Sequence, residues 1–302
     1  MQIRRYRYHR GVKMTEAATE SLTDGNLTEN TGIIAAFAVP HPPLIVPAVG
    51  RGHESIAART IASYNAVAEK IAALKPDTII ISSPHAEVGM RGFVLPEKAG
   101  LRGSFAQFRA PEVTFAEEVD TELRDELVRD SAPGFFIPLG SPELDHGTMV
   151  PLWFIRKYLS SFRLLVTGYA ARVDFAAYYR AGKCIQKAAA KLGRRTVYVA
   201  SGDLSHKLQE DGPYGFVPEG PEYDARIMDV LGRAAFGELF SFDSDFCDRA
   251  AECGHRSFVM MAGALDGYKA EPHVYSHEDR TGVGYGVVSF MRGEPDRSRS
   301  FA

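Results

Sequence analysis

The feature that most constrains the fold is a buried-strand pattern that ends in a proline and a histidine, and it occurs twice. The apolar run at residues 32–39 is followed by Pro40 and His41, and the apolar run at residues 78–81 leads into Pro84 and His85. Proline fixes φ and disfavours helical backbone in the residue before it, so each strand should stop there. Two such strand ends can meet at one edge of a parallel sheet, where open α/β folds place their functional sites.

The rest of the chain alternates between strand and helix patterns. Residues 57–74 have helical spacing between the first two strands, which predicts a βαβ unit with a right-handed crossover. The alternation predicts an α/β fold, a single domain with a mainly parallel central sheet and helices on both faces. We interpret residues 91–108 as a long loop and residues 111–129 as an acidic amphipathic helix.

The two ends of the chain differ from its middle. The first 31 residues are basic and then polar, without apolar periodicity, so we predict a disordered tail at 1–31 that is dispensable for folding. A single domain is assigned to residues 32–291, and residues 292–302 are predicted to form a short C-terminal tail.

Composition excludes several classes of protein. The net charge of −3 does not suggest nucleic acid as a partner, and no apolar run approaches the roughly 18 residues of a membrane-spanning helix. The three cysteines do not form a disulfide framework, which favours a reducing, cytoplasmic location. Nucleotide-binding glycine motifs and the GxSxG motif of hydrolases do not occur.

Two further histidines follow strands or precede helices. His146 is predicted in a turn before a helix at 152–159, and His206 lies just past a strand at 195–200. Together with His41 and His85 they indicate a metal or acid–base site at one sheet edge, although any one of them could be structural. Two imidazoles and one carboxylate form a facial triad that suits non-haem Fe(II), and Glu252, at a break between two helices, is the carboxylate we favour.

Several alternatives stay open at this stage. Glu252 could instead stabilise the start of a helix, as acidic residues often do. Asp203 could orient His206 or cap a turn. For His255 and His277 we favour structural roles. Arg256 and Arg280 could bind a substrate carboxylate, but a surface or packing role is the simpler interpretation for both.

Five motifs together resemble the class III extradiol ring-cleavage dioxygenases, specifically their catalytic, B-type subunit. The similarity runs from about residue 32 to residue 290 and is greatest to the dioxygenase-like domain of the AmmeMemoRadiSam system, with Memo-type proteins as relatives of the same fold. The motifs are Pro40-His41-Pro42-Pro43, Ser83-Pro84-His85, Asp145-His146-Gly147-Thr148, Ser201-Gly202-Asp203-Leu204-Ser205-His206 and Ala251-Glu252-Cys253-Gly254.

The resemblance implies a role for each motif. His41, His85 and Glu252 would bind Fe(II), His206 would be the general base near a substrate hydroxyl, and His146 would donate a hydrogen bond toward oxygen. In Memo-type proteins the third ligand is a cysteine in a Cys-Gly motif, so Cys253 is the alternative ligand here, with zinc or copper as the alternative metal.

The implied function is Fe(II)-dependent opening of a catechol or aminophenol-like ring by O₂. One alternative is a Memo-type metal-binding redox or regulatory protein without ring cleavage. Another is a different enzyme of the AmmeMemoRadiSam system, acting with a radical-SAM partner or a separate AMMECR-type domain. Relatives of this fold commonly form dimers or pair with a small subunit, and we expect a homo-oligomer.

Overall fold

A six-stranded sheet forms the centre of the computed structural model, which describes residues 31–301. The tail predicted at 1–31 therefore lies outside the described residues except for Thr31. In spatial order the strands are β7 (Arg163–Thr167), β2 (Thr78–Ser82), β8 (Arg195–Ser201), β1 (Gly32–Val39), β10 (Tyr285–Pro295) and β9 (Tyr268–Glu278).

The first four of these strands are parallel, and β10 and β9 complete the sheet in antiparallel pairing. Every residue of β1 and β2 is buried, because helices cover both faces of the parallel part. The register pairs Val39 with Ser201 and Ser82 with Ala200, so the carboxyl ends of β1, β8 and β2 lie side by side. The loops that leave these ends carry His41, His85 and His206.

The helices pack on the sheet in two groups. α2 contacts α4, β9 and β10, whereas α5 contacts α8, β1 and β8. The fold class predicted from the sequence, α/β with a mainly parallel sheet, is confirmed. The helices are α1 (Pro47–Gly50), α2 (Ala58–Leu74), α3 (Thr121–Asp130), α4 (His146–Ile155), α5 (Phe175–Lys191), α6 (Glu219–Gly232), α7 (Ser244–Ala250) and α8 (His255–Ala264).

The prediction of a helix at 111–129 is wrong for the first half of that segment. The segment begins with a strand, β5 (Ala110–Glu118), which pairs antiparallel with β4 (Gly100–Phe105), and only then continues as α3. Phe115 and Glu117 are both buried on one side of β5, which is the two-residue period of a strand. The acidic side chains suggested a solvated helix, but Glu117 is buried because it pairs with Arg156.

The segment predicted as a loop at 91–108 also contains strands. β3 (Phe93–Pro96) pairs in parallel with β6 (Phe136–Gly140), and β4 follows it. The turn between β4 and β5 carries Phe108 to the ring of His146, with ring centroids 5.5 Å apart. The turn between β4 and β5, which lies outside the main sheet, therefore contributes to one side of the site.

The C-terminal residues pack against the domain beyond the predicted boundary at residue 291. Strand β10 continues to Pro295 and pairs Arg292 with Ala270 of β9. The backbone N–H of Phe301 donates to the hydroxyl of Tyr179 at 3.2 Å. The residues predicted to form a tail are thus partly strand. Among residues 31–301, no helix combines the length and apolar character needed to cross a bilayer.

Candidate metal centre

Three side chains converge where the parallel strands end. The Nε2 atoms of His41 and His85 lie 3.0 Å apart, and Nε2 of His41 lies 3.6 Å from Sγ of Cys253. One ligand atom from each of these three residues falls within 4.8 Å of the other two, which is close enough for a shared metal ion. His41 comes from the end of β1, His85 from the end of β2, and Cys253 from the loop before α8.

His41 is held on two sides by residues that follow β8. Its backbone N–H donates to Oδ1 of Asp203 at 2.7 Å, and its Nδ1 lies 2.9 Å from Oγ of Ser201. The residue is 2% exposed. Burial, followed by the neighbouring imidazole of His85, lowers the pKa of His41 well below its usual value. The ring is therefore neutral at pH 7, the form that binds metals.

His146 lies beside His85, with the two rings stacked at a centroid distance of 4.1 Å. The sequence suggested that His146 lies in a turn before a helix, but it is the first residue of α4. Asp145 caps this helix by accepting from the backbone N–H of Thr148, and its Oδ1 also accepts from the hydroxyl of Ser83 at 2.6 Å. The cap therefore joins the loop of His85 to the helix of His146.

Asp203 connects the remaining parts of the site. Its backbone N–H donates to Sγ of Cys253 at 3.2 Å, and its carbonyl oxygen accepts from the backbone N–H of Gly254 at 3.1 Å. Its Oδ2 lies 3.9 Å from Nε2 of His206. Burial raises the pKa of the Asp203 carboxyl, and the nearby His206 opposes that rise. The sequence analysis missed the contacts of Asp203 with His41 and Cys253, because a Ser-Gly-Asp turn does not reveal them.

Two loops cross closely at this point. A Cβ atom on Gly202 would lie 2.1 Å from Cα of Gly254, so neither backbone could approach the other with a side chain between them. This crossing places Cys253 against Asp203. The pairing brings together a second group of possible ligands, Asp203, His206 and Cys253, whose ligand atoms also lie within 4.8 Å of one another.

Glu252, the carboxylate favoured from the sequence, is not brought to His41 and His85. Its Oε2 accepts from the backbone N–H of His255 at 2.5 Å, and its Oε1 lies 3.8 Å from Nη1 of Arg256. Its side chain is 1% exposed, and burial raises its pKa to about 7. Glu252 thus stabilises the first turn of α8, the helix-start alternative, while Cys253, the alternative ligand, faces the two histidines.

The other two histidines considered from the sequence have structural partners. Nε2 of His255 donates to the carbonyl of Leu239 at 3.0 Å, and its Nδ1 lies 3.3 Å from the hydroxyl of Tyr223. Nε2 of His277 lies 2.7 Å from a carboxylate oxygen of Asp224. Arg280 lines an open surface groove that also contains His53.

The donor set fits a transition metal. Two imidazole nitrogens and one thiol sulfur suit iron, zinc or copper, and not the hard cations that prefer oxygen. Burial raises the pKa of the Cys253 thiol, so a cation in the site would be needed to hold it as thiolate. A bound cation would therefore change the protonation state of Cys253, whereas His41 is already in its metal-binding form.

The chain with this α/β sheet and with histidines at its parallel strand ends matches a family of ring-opening dioxygenase catalytic subunits. The chain belongs to that family, described as the catalytic LigB subunit of aromatic ring-opening dioxygenase, which it matches over residues 35–288. The resemblance seen in the sequence is thus confirmed at the family level, whereas the connection to the AmmeMemoRadiSam system and to Memo-type proteins stays a prediction.

Two curated relatives and one solved structure are similar to this chain. It is 38% identical over 275 residues to protein CA_C1420 of Clostridium acetobutylicum. The matched region covers 87% of this chain and 58% of that protein. The chain is 24% identical over 302 residues to the 2-aminophenol 1,6-dioxygenase beta subunit of a Pseudomonas species, covering 86% of this chain and 94% of that subunit. The chain spans less than two thirds of the length of the first relative.

The solved structure is that of the uncharacterized protein JW3007 from Escherichia coli K12. It superposes with a TM-score of 0.56 at 13% identity and covers 85% of this chain and 99% of that one. At this identity the likeness shows the fold alone.

Proposed function

We propose that this chain is an Fe(II)-dependent extradiol-type dioxygenase that opens a catechol or aminophenol-like ring with O₂. Its metal ligands are His41, His85 and Cys253, in place of the set with Glu252 favoured from the sequence. The observation that carries the proposal is the convergence of two imidazole nitrogens and a thiol within 4.8 Å, in a chain of the ring-opening dioxygenase family. Bound iron would supply Lewis acidity toward a substrate hydroxyl and a route for electrons between substrate and O₂.

His206 is the general base in this proposal. Its side chain is 18% exposed, so it can reach both a bound substrate and solvent. A neutral imidazole accepts a proton from a substrate hydroxyl near pH 7. Oδ2 of Asp203 lies 3.9 Å from Nε2 of His206, on the side of the ring that a proton transfer would use.

His146 and Phe108 form another part of the proposed site. His146 stacks on His85 and so lies next to the candidate metal ligands, where its ring can donate a hydrogen bond to bound oxygen or substrate. Phe108 contacts His146 edge to face and provides an apolar surface for an aromatic ring. The Pseudomonas relative, named for 2-aminophenol, supports aminophenols as the first substrates to try.

The test is oxygen uptake by protein loaded anaerobically with Fe(II), measured with catechol and with 2-aminophenol while ring opening is followed by absorbance. We expect turnover with at least one substrate and a loss of about 10²–10⁴-fold in kcat for His206→Ala, the usual contribution of a general base. His53→Ala, at an exposed histidine, is the matched control. Full metal occupancy without oxygen uptake for either substrate would contradict the proposal.

The second candidate is a metal-binding redox or regulatory protein of the Memo type, without ring cleavage. The observation that favours it is the thiol of Cys253, which faces the histidines while the carboxylate of Glu252 faces α8. A soft thiolate suits copper(I) or zinc better than a carboxylate does. Tight binding of either metal together with no oxygen uptake is the result that selects this candidate.

The proposed partners follow from the two candidates. The Pseudomonas relative is a beta subunit by name, which supports assembly with further subunits, either copies of this chain or a second protein. An AMMECR-type domain on a separate chain and a radical-SAM enzyme are the partners proposed for the AmmeMemoRadiSam alternative.

A further inference from the structure

We infer that Ser201 is a positioning residue that fixes the ring of His41 as the tautomer with its proton on Nδ1. The inference deepens the proposed metal centre and rests on it for its functional meaning. Its structural basis is a chain of two hydrogen bonds, from His41 to Ser201 and from Ser201 to Gly147.

The direction of both hydrogen bonds follows from the groups involved. Oγ of Ser201 lies 2.5 Å from the carbonyl oxygen of Gly147, and a carbonyl can only accept. The single hydroxyl hydrogen of Ser201 is therefore used there. If it turned to His41, two oxygen atoms would remain 2.5 Å apart without a proton between them. The contact of 2.9 Å between Ser201 and Nδ1 of His41 is then a bond that the ring donates.

The sequence of α4 explains why this carbonyl is available. In a helix, the carbonyl of Gly147 would accept from the backbone N–H four residues later, but that residue is Pro151, which has no N–H. Gly147 is buried and Ser201 is fully buried, so the missing donor has to come from the protein. The hydroxyl of Ser201 takes the place of the missing N–H donor. Pro151 thereby sets the direction of the hydrogen bond from Ser201 to Gly147.

The consequence at the site is that Nε2 of His41 presents a lone pair. Nε2 of His85, 3.0 Å away, must then carry a proton in the metal-free protein, because two lone pairs at that distance repel. His85 is exposed, so it can exchange that proton with solvent and change tautomer when a metal binds. His41 stays fixed, which makes it the permanent ligand and His85 the adaptable one.

The test begins with the wild-type chain, without metal, at pH 8. Long-range ¹H–¹⁵N correlation spectra distinguish the two imidazole tautomers, and the signals of His41 are assigned by their loss in His41→Asn. We expect the proton on Nδ1. A proton on Nε2 of His41 would overturn the inference, and this measurement needs no Ser201 variant to fold.

The second measurement uses Ser201→Ala with Zn²⁺ as a diamagnetic probe. Loss of an outer partner of a metal-bound histidine typically weakens metal affinity by 10–100-fold, and we expect a loss of about that size together with a mixture of His41 tautomers. The matched control is Ser289→Ala, which removes a fully buried hydroxyl bonded to Tyr275 instead. An unchanged tautomer and unchanged zinc affinity in Ser201→Ala would show that Ser201 is only structural.

The tautomer measurement and the metal-binding measurement test the inference about Ser201 and the proposed function separately. If the wild-type chain binds no Zn²⁺ and no Fe(II), the metal centre is wrong, and the tautomer measured in the metal-free spectra still decides the role of Ser201. If metal binds with high affinity but His41 carries its proton on Nε2, the metal centre stands and the inference about Ser201 fails.

Discussion

The end of β1 and the start of α8 each contain a buried histidine, and the two residues differ in what their ring nitrogens do. His41 is 2% exposed and His255 is 0% exposed, so burial does not separate them. Both nitrogens of His255 meet protein groups, the hydroxyl of Tyr223 and the carbonyl of Leu239. His41 uses only Nδ1 in this way, and its Nε2 faces another histidine and a thiol. An open ring nitrogen, and not burial, therefore separates the proposed metal ligand His41 from His255.

The largest effect that this comparison predicts is complete loss of bound metal in the double variant His41→Ala/His85→Ala. Both imidazole nitrogens of the set formed by His41, His85 and Cys253 disappear, and the group that remains, Asp203, His206 and Cys253, offers only one imidazole. Metal per chain is measured by elemental analysis after loading with Fe(II) or Zn²⁺. The control is His53→Ala/His273→Ala, which removes two exposed histidines. Full metal occupancy in the first variant would show that the converging nitrogens are not ligands.

The next effect separates the two adjacent candidates for the third ligand. Cys253→Ser should weaken metal binding by more than about 100-fold, since loss of a ligand should exceed the 10–100-fold typical of outer partners. Glu252→Gln should keep the metal, because its carboxylate faces the backbone N–H of His255 and an amide oxygen can still accept there. Affinities are compared by competition with a chromophoric chelator. Metal loss in Glu252→Gln alone would restore the carboxylate as the third ligand.

The opposite behaviour is expected at the structural histidine. His255→Ala should lower the free energy of unfolding by about 3 kcal/mol, because it opens a cavity and leaves the carbonyl of Leu239 without its donor. Metal content should not change in the folded fraction. Urea denaturation monitored by circular dichroism measures the loss. A variant that is as stable as the wild type but poor in metal would reverse our assignment of the two histidines.

The smallest predicted effect is a pH dependence of stability due to Glu252. Its pKa is about 7 in the folded chain and near 4.5 when unfolded, so between these values the folded chain holds a proton that the unfolded chain has released. The free energy of unfolding therefore decreases as the pH rises, by about 2 kcal/mol between pH 5 and pH 7. Glu252→Gln lacks this contribution. Urea midpoints of both proteins, measured with a chelator present, should diverge over this range, and parallel curves would contradict the prediction.

The fold was largely predictable because its signals are local. Apolar runs that end at Pro40 and Pro84 mark the strand ends, and the family motifs follow them. The hairpin of β4 and β5 was missed because its acidic residues suggested a solvated helix, and the partner that buries Glu117, Arg156, lies 39 residues away.

The candidate site was predictable in part for the same reason. All four histidines were placed at one edge of the sheet, where the structure has them. The choice between Glu252 and Cys253 as the third ligand depends on which way two neighbouring side chains point just before α8. That direction could not be predicted from the sequence. The bond from Ser201 to Gly147 joins residues 54 positions apart, although Pro151, four residues after Gly147, is a readable sign that a carbonyl lacks its donor.

The close crossing of Gly202 and Gly254 has a consequence for protein engineering. A Cβ on Gly254 would lie 2.6 Å from the ring of Phe258 and 3.1 Å from the carbonyl oxygen of Asp203, so the loop before α8 has little freedom to be remodelled. Turning Glu252 toward the histidines by redesigning this loop would disturb both crossing segments. An engineer who wants a harder, oxygen-rich metal centre should therefore keep the backbone and exchange the side chain at position 253 for aspartate or glutamate.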